Sequence, residues 1–186
     1  MSKAVLISIR PKWCEKIVLG EKTIEVRKTR PKMETPFKCY IYCTQSADML
    51  WILKERERSL HPGKIADVFK AAKCGGAYRG NGKVIGEFLC DQIYDIVPNG
   101  CEYVVPSTDK ATTNEVARQS CLMFNDLRKY FGLSCGYGWH ISNLKIYDEP
   151  KKLSEFTGLR KTKFGMEPVA ITRPFQNWGY VEELRE

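Results

Sequence analysis

Histidine is nearly absent from this chain: His61 and His140 are the two in 186 residues. Neither has a partner four residues away, so the sequence spells no helical metal-ligand pair. No two of the eight cysteines stand in the C-x-x-C spacing of a zinc ribbon or a dithiol redox motif. There is no G-x-G-x-x-G and no Walker sequence, which removes the usual dinucleotide and P-loop cradles. No run approaches the roughly 18 apolar residues that span a bilayer. The opening MSKAVLISIRPKW has neither the apolar stretch nor the small-residue cleavage site of a signal peptide. These absences lead to the expectation of a cytoplasmic protein with no membrane contact, no metal and no cofactor.

Positive charge is plentiful. Lys and Arg number 30 against 22 Asp and Glu, a formal net charge of +8. A small basic domain points first to polyanions, nucleic acid above all. Hydrophobic residues make up 43% and charged residues 28%, an ordinary globular composition. The length suits one domain of about 100–200 residues, or one with appendages. In a reducing compartment the cysteines read as small apolar core fillers. Cys39 and Cys43 share one face of a strand, but two thiols do not make a tetrahedral site.

The chain opens on a buried strand, AVLISI at 4–9. Pro11 fits the first turn of a short helix over 11–19, and Gly20 suits the left-handed residue that ends it. KTIEVRK at 22–28 alternates as a strand, with Ile24 and Val26 on one face and Thr23, Glu25 and Arg27 on the other. A loop over 29–37 leads to a third strand over 37–44. Ser46 reads as the N-cap of a helix over 46–58. Residues 60–82, including the glycine-rich GGAYRGNG, read as exposed loop, and 83–97 as a long strand with Gly86 as a bulge. Residues 98–111 read as loop. Thr112 and Glu115 have capping-box spacing for a helix running to about Phe131. WHISNLKIY, at 139–147, reads as another strand, and 150–156 as a short segment. The tail from Thr157 is basic at Arg160, Lys161 and Lys163, then aromatic at Phe175, Trp178 and Tyr180. Strands outnumber helices without regular βαβ alternation. The fold expected is therefore α+β, a small curled sheet or mixed β-barrel with flanking helices.

The stretch LISIRPKWCEKIVLGEKTIEVRK, residues 6–28, resembles the N-terminal signature of the ASCH domain family: a strand, a helix, then G-x-K-x-x-E-x-R, here Gly20, Lys22, Glu25 and Arg27. GKVIGEF at 82–88 and YGWHISNL at 137–144 fit the same family. The closing RPFQNWGYVEEL resembles a segment of phage and prophage members. The resemblance implies a PUA-like β-barrel over 1–156, with insertions near 45–80 and 98–135. A basic-aromatic extension over 157–186 would pack on or near it. It also implies a cleft beside the first helix and a role in binding RNA or acting on nucleotides.

The residues themselves suit that role. Arg10, Lys22 and Arg27 would take phosphate, Trp13 would stack on a base, and Glu25 would accept from an exocyclic amine. Ser8 and Thr23 flank these groups. Glu87, Trp139 and His140 are candidates for the opposite wall. The bland alternatives are concrete: Glu25 and Arg27 as a surface ion pair, Trp13, Trp139 and Glu87 as structure, His140 as a satisfied polar residue, and the basic tail as a solvated stretch.

The reading that follows is an RNA- or nucleotide-binding module, with DNA as an alternative partner. The enzymatic alternative is a hydrolase in the same cleft, either a nucleobase amidohydrolase on an N4-acylcytidine-like substrate or a ribonuclease. One branch of the family hydrolyses N4-acetylcytidine with a threonine nucleophile where this chain has Glu25. A carboxylate cannot be that hydroxyl, but with Lys22 it can activate water. A third alternative is a phage-encoded interaction protein that uses the basic tail.

Overall fold

The computed structural model describes residues 2–60, 68–99, 102–106 and 113–184. It is an α+β protein, mostly strands. These lie in open sheets of seven, four and two strands, and the class is the α+β one expected from the sequence. The chain forms two compact units, one of residues 1–19, 38–88 and 144–186, the other of residues 20–37 and 89–143. Among the described residues no helix is long and apolar enough to cross a membrane.

The first unit begins with β1 (Lys3–Ile9) and α1 (Pro11–Val18). Every residue of β1 after Lys3 is buried, as its continuous apolar run requires. Pro11 starts the helix and Gly20, at φ 74°, follows its end. Strand β3 (Phe37–Cys43) pairs parallel to β1, with Val5 opposite Cys39 and Ile9 opposite Cys43. Five later strands complete the sheet: β6 (Lys83–Cys90), β10 (Ser142–Lys151), β11 (Thr157–Thr162) with β12 (Gly165–Ala170), and β13 (Trp178–Glu182). The order is β10-β6-β3-β1-β13-β11-β12. β13 runs antiparallel to β1, Lys3 opposite Glu182 and Ile7 opposite Trp178. Ala4, Leu6, Tyr40, Tyr42, Val84, Phe156 and Val181 form one core cluster of this unit.

Of the helix expected over 46–58 only the end is helical. Trp51–Leu53 is instead a strand, β4, and Glu55–Leu60 a short helix, α2. The Ser46 hydroxyl accepts from the Asp48 N–H at 3.2 Å, closing a local turn rather than capping a helix. β4 pairs with β5 (Ala77–Arg79), and α3 (Val68–Lys73) precedes it, so the stretch read as loop over 60–82 carries structure. Residues 61–67, with His61, lie outside the described residues.

The second unit is a four-stranded sheet in the order β2-β9-β7-β8, crossed by two helices. Its strands are β2 (Ile24–Arg27), β7 (Ile93–Asn99), β8 (Glu102–Val104) and β9 (Gly136–His140). The single strand expected over 83–97 is thus two strands in different sheets, broken at Asp91–Gln92. The strand expected over 139–147 is likewise divided between β9 and β10. β8 falls where a loop was expected. The helix expected to end near Phe131 is two, α4 (Thr113–Ser120) and α5 (Phe124–Phe131). Cys121, at φ 55°, breaks the run. The Asp126 carboxylate then accepts from the Met123 N–H at 3.0 Å and starts α5. Thr112, half of the expected capping box, lies outside the described residues. Ile24, Val26, Tyr94, Ile96, Val116, Leu127 and Phe131 form the core beneath the helices.

Gly86 marks close backbone contact within the first unit rather than a bare irregularity. A Cβ built there would lie 2.5 Å from the Lys145 carbonyl oxygen. Gly86→Ala is therefore expected to lower unfolding stability by about 1–3 kcal/mol through overpacking. Urea titration measures it, and a loss below about 0.5 kcal/mol, the usual surface value, would contradict the contact.

Candidate functional site

In the second unit, β2 places its side chains by strict alternation. Ile24 and Val26 enter the apolar core, while Glu25 and Arg27 share the other face. That face is buried too: Glu25 is 5% exposed, Arg27 8% and Lys22 2%. The strand begins only at Ile24, so Lys22 is not bound by the alternation. Thr23 anchors the turn between them. Its N–H donates to the Gln119 carbonyl at 3.0 Å, and its own carbonyl accepts from the Ile141 N–H at 2.8 Å. Lys22 Nζ then stands 3.4 Å from Glu25 Oε2, and Arg27 Nη2 stands 2.9 Å from Glu25 Oε1.

The ion pair at Glu25–Arg27 is thus buried rather than superficial, and it has a third member. Two cations share one carboxylate. Burial holds the Lys22 ammonium below the usual lysine range, and Glu25 offsets part of that effect. Lys22 Nζ also donates to the Ser120 carbonyl at 2.7 Å, across 98 residues. Ser120 ends α4, where a cation satisfies an orphan carbonyl and faces the negative pole of the helix. Neither Ser120 nor its contact is signalled in the sequence, because nothing local links the two segments.

Trp139 lies opposite Glu25 in the β2–β9 register and is fully buried, its ring 6.0 Å from Phe37 in an edge-on contact. His140 lies opposite Ile24, on the other face, so adjacent positions on β9 do not act together. The partner of His140 is Asp91, with Nδ1 and Oδ1 2.7 Å apart. Burial alone would raise the Asp91 carboxyl. Hydrogen bonds, that from His140 foremost, outweigh it and hold the carboxyl below the usual range. Asp91 was not among the residues singled out from the sequence, and no motif marks it. The neighbouring Cys90 thiol is pushed up to about 12 by burial, which makes it inert as a nucleophile.

The remaining expected residues belong to the first unit. Ser8 is buried and its hydroxyl donates to the Phe175 carbonyl at 2.5 Å. Arg10 is exposed at the start of α1, and Trp13 is half-buried with Lys12 Nζ 5.0 Å from its ring centroid. Glu87 sits in a groove of about 800 Å³ lined by Lys38, Arg58, Tyr147 and Asp148. It accepts from the Tyr147 hydroxyl at 2.5 Å and lies 3.8 Å from Lys38 Nζ. Burial, then Glu87, push the Tyr147 hydroxyl far above the ordinary phenol range. Among the described residues no group of three or more His, Cys, Asp or Glu could hold a metal ion.

Two outcomes test this electrostatic arrangement. Glu25→Ala removes the buried carboxylate that Lys22 and Arg27 share, and it is expected to destabilise the fold by about 3–5 kcal/mol in chemical denaturation. A loss under about 1 kcal/mol would mean that water already compensates the cations. For Asp91, the folded carboxyl lies below its unfolded value of about 3.9. Its contribution to stability is therefore present above that value and lost as pH falls through the depressed one. His140→Asn is expected to move the Asp91 carboxyl ¹³C titration upward. An unchanged titration would refute the pairing.

No protein-family model and no curated protein matches the chain. Among solved structures, the crystal structure of ASCH from Zymomonas mobilis aligns with a TM-score of 0.50 at 16% identity, covering 97% of this chain and 88% of that one. A mutant form of the same protein aligns at 0.49 and 15% identity, over 98% and 92%. At this identity the likeness is one of fold: the chain has the α+β, PUA-like architecture of a Zymomonas mobilis ASCH protein.

Proposed function

We propose that the chain is an ASCH domain protein that binds RNA or a nucleotide at the Lys22–Glu25–Arg27 cluster. The observation that carries this reading is a single buried carboxylate held between two cations, at 3.4 and 2.9 Å. Burying three charges is costly unless their geometry is good. An apolar trio of similar size would hold the sheet at least as well. The arrangement instead keeps an arginine fork and an ammonium preorganised around one carboxylate, and both groups are of the kind that bind phosphate. The G-x-K-x-x-E-x-R resemblance, the fold and the net charge of +8 support the same reading.

A hydrolytic reading draws on one further observation: burial lowers the Lys22 pKa and makes its ammonium a better proton donor. Glu25 would activate water, and Lys22 would stabilise the developing charge. N4-acetylcytidine and short RNAs are the substrates to try. Turnover that disappears in both Lys22→Ala and Glu25→Gln, in folded protein, is the expected signature.

Binding is tested by titrating purified protein with nucleosides, nucleoside monophosphates and short labelled RNAs. Arg27→Lys keeps the charge and removes the planar fork, and is expected to weaken the best ligand by about 10- to 100-fold, as for a lost hydrogen bond to a charged group. Affinity is expected to fall with rising salt. Equal affinity in the variant, or no binding by any compound in the panel, would overturn the assignment.

A further inference from the structure

The seven-stranded sheet ends in a turn that leaves an aromatic ring in water. β11 and β12 pair from Thr157 opposite Ala170 to Thr162 opposite Gly165, so Lys163 and Phe164 alone form the loop. Phe164 is 84% exposed. Its base is nevertheless fixed. The Phe164 N–H donates to Thr162 Oγ at 3.2 Å, and that hydroxyl donates to Glu167 Oε1 at 3.0 Å. Lys163 Nζ stands over the ring, 4.9 Å from its centroid. Exposure leaves the opposite ring face to solvent.

The charges around the ring are unbalanced. Arg160, Lys161 and Lys163 are exposed, and Glu167 is the hairpin's one carboxylate. By register Glu167 faces Arg160, while Lys161 faces Met166. Two ammonium groups at the tip are therefore not matched by an acid within the hairpin. β12 is the outer strand of the sheet and exposed along its whole length.

We propose that this hairpin is a contact site for single-stranded nucleic acid. One base stacks on the open face of Phe164, and Lys161 and Lys163 take the adjoining phosphates. Every base offers a π face, so stacking of this kind tolerates sequence, and ammonium groups within reach of the backbone add a salt-dependent component. A bilayer-seeking tip needs a broad apolar face. Here one ring projects at the tip among cations, and the hairpin's other exposed apolar side chains, Met166 and Val169, are each 39% exposed against 84% for Phe164. The hairpin lies in the first unit and uses none of the side chains of the Lys22–Glu25–Arg27 cluster, so this inference goes beyond the function proposed above.

The test uses the full chain and two fluorescein-labelled probes, a twelve-residue oligouridylate and a twelve-residue oligodeoxythymidylate, read by anisotropy at low and high salt. Phe164→Ala is expected to weaken both by about 5- to 100-fold, the effect of losing one stacked base. Phe164→Trp is expected to restore binding, which a merely structural role would not predict. Lys161→Ala with Lys163→Ala is expected to reduce the slope of log affinity against log salt by about 1.4, two phosphates' worth for a single strand. Circular dichroism confirms folding of each variant. Binding by Phe164→Ala within twofold of the parent would overturn the inference. So would a chain that binds neither oligonucleotide, or a Phe164→Ala defect confined to phosphatidylserine vesicles. Loss on Arg27→Lys but not on Phe164→Ala would overturn it and leave the buried cluster standing.

Discussion

The Glu25 carboxylate is the hub of the second unit's polar face. It joins two cations that the chain could not otherwise bury together, because Lys22 and Arg27 repel one another at short range. With the carboxylate present, Lys22 can also reach the end of α4 and satisfy the Ser120 carbonyl. One short sequence thereby ties a turn, a strand and a helix terminus from a distant segment. The same contacts serve structure and binding: the rigidity that holds the helix end also fixes the donors that a phosphate would meet.

The first unit rests on a different constraint. β1, the earliest strand, is central, flanked by β3 on one side and by β13 from the far end of the chain on the other. Its backbone partners are complete only when residues 178–182 are in place. The Ser8 hydroxyl and the Tyr40 hydroxyl, which accepts from the Leu184 N–H at 2.9 Å, fasten the same closing segment. Pairings so distant in sequence slow folding, since loop closure costs entropy before contacts form.

The opening 44 residues were legible because each local signal agreed with the final structure: an apolar run, Pro11, Gly20, then clean alternation. Legibility failed where a distant partner overrode a local pattern. Leu50 and Leu53 have helical spacing, but Trp51–Leu53 finds Ala77–Arg79 and becomes a strand. The break between α4 and α5 falls on Cys121, a residue type that announces no left-handed turn. The division at Asp91–Gln92 carries no Gly or Pro to mark it. In the site, alternation correctly set Glu25 beside Arg27. Lys22 escaped that rule because the strand starts after it. Ser120 and Asp91 were invisible because their partners lie 98 and 49 residues away.

The polar face of the second unit depends on these buried charges acting as one unit. A double-mutant cycle between Glu25→Gln and Arg27→Met, with unfolding free energy as the readout, measures that coupling directly. A shared buried ion pair predicts an interaction energy of about 1–3 kcal/mol. Effects that add within about 0.3 kcal/mol would show that the carboxylate and the guanidinium are merely neighbours, and would contradict the central claim.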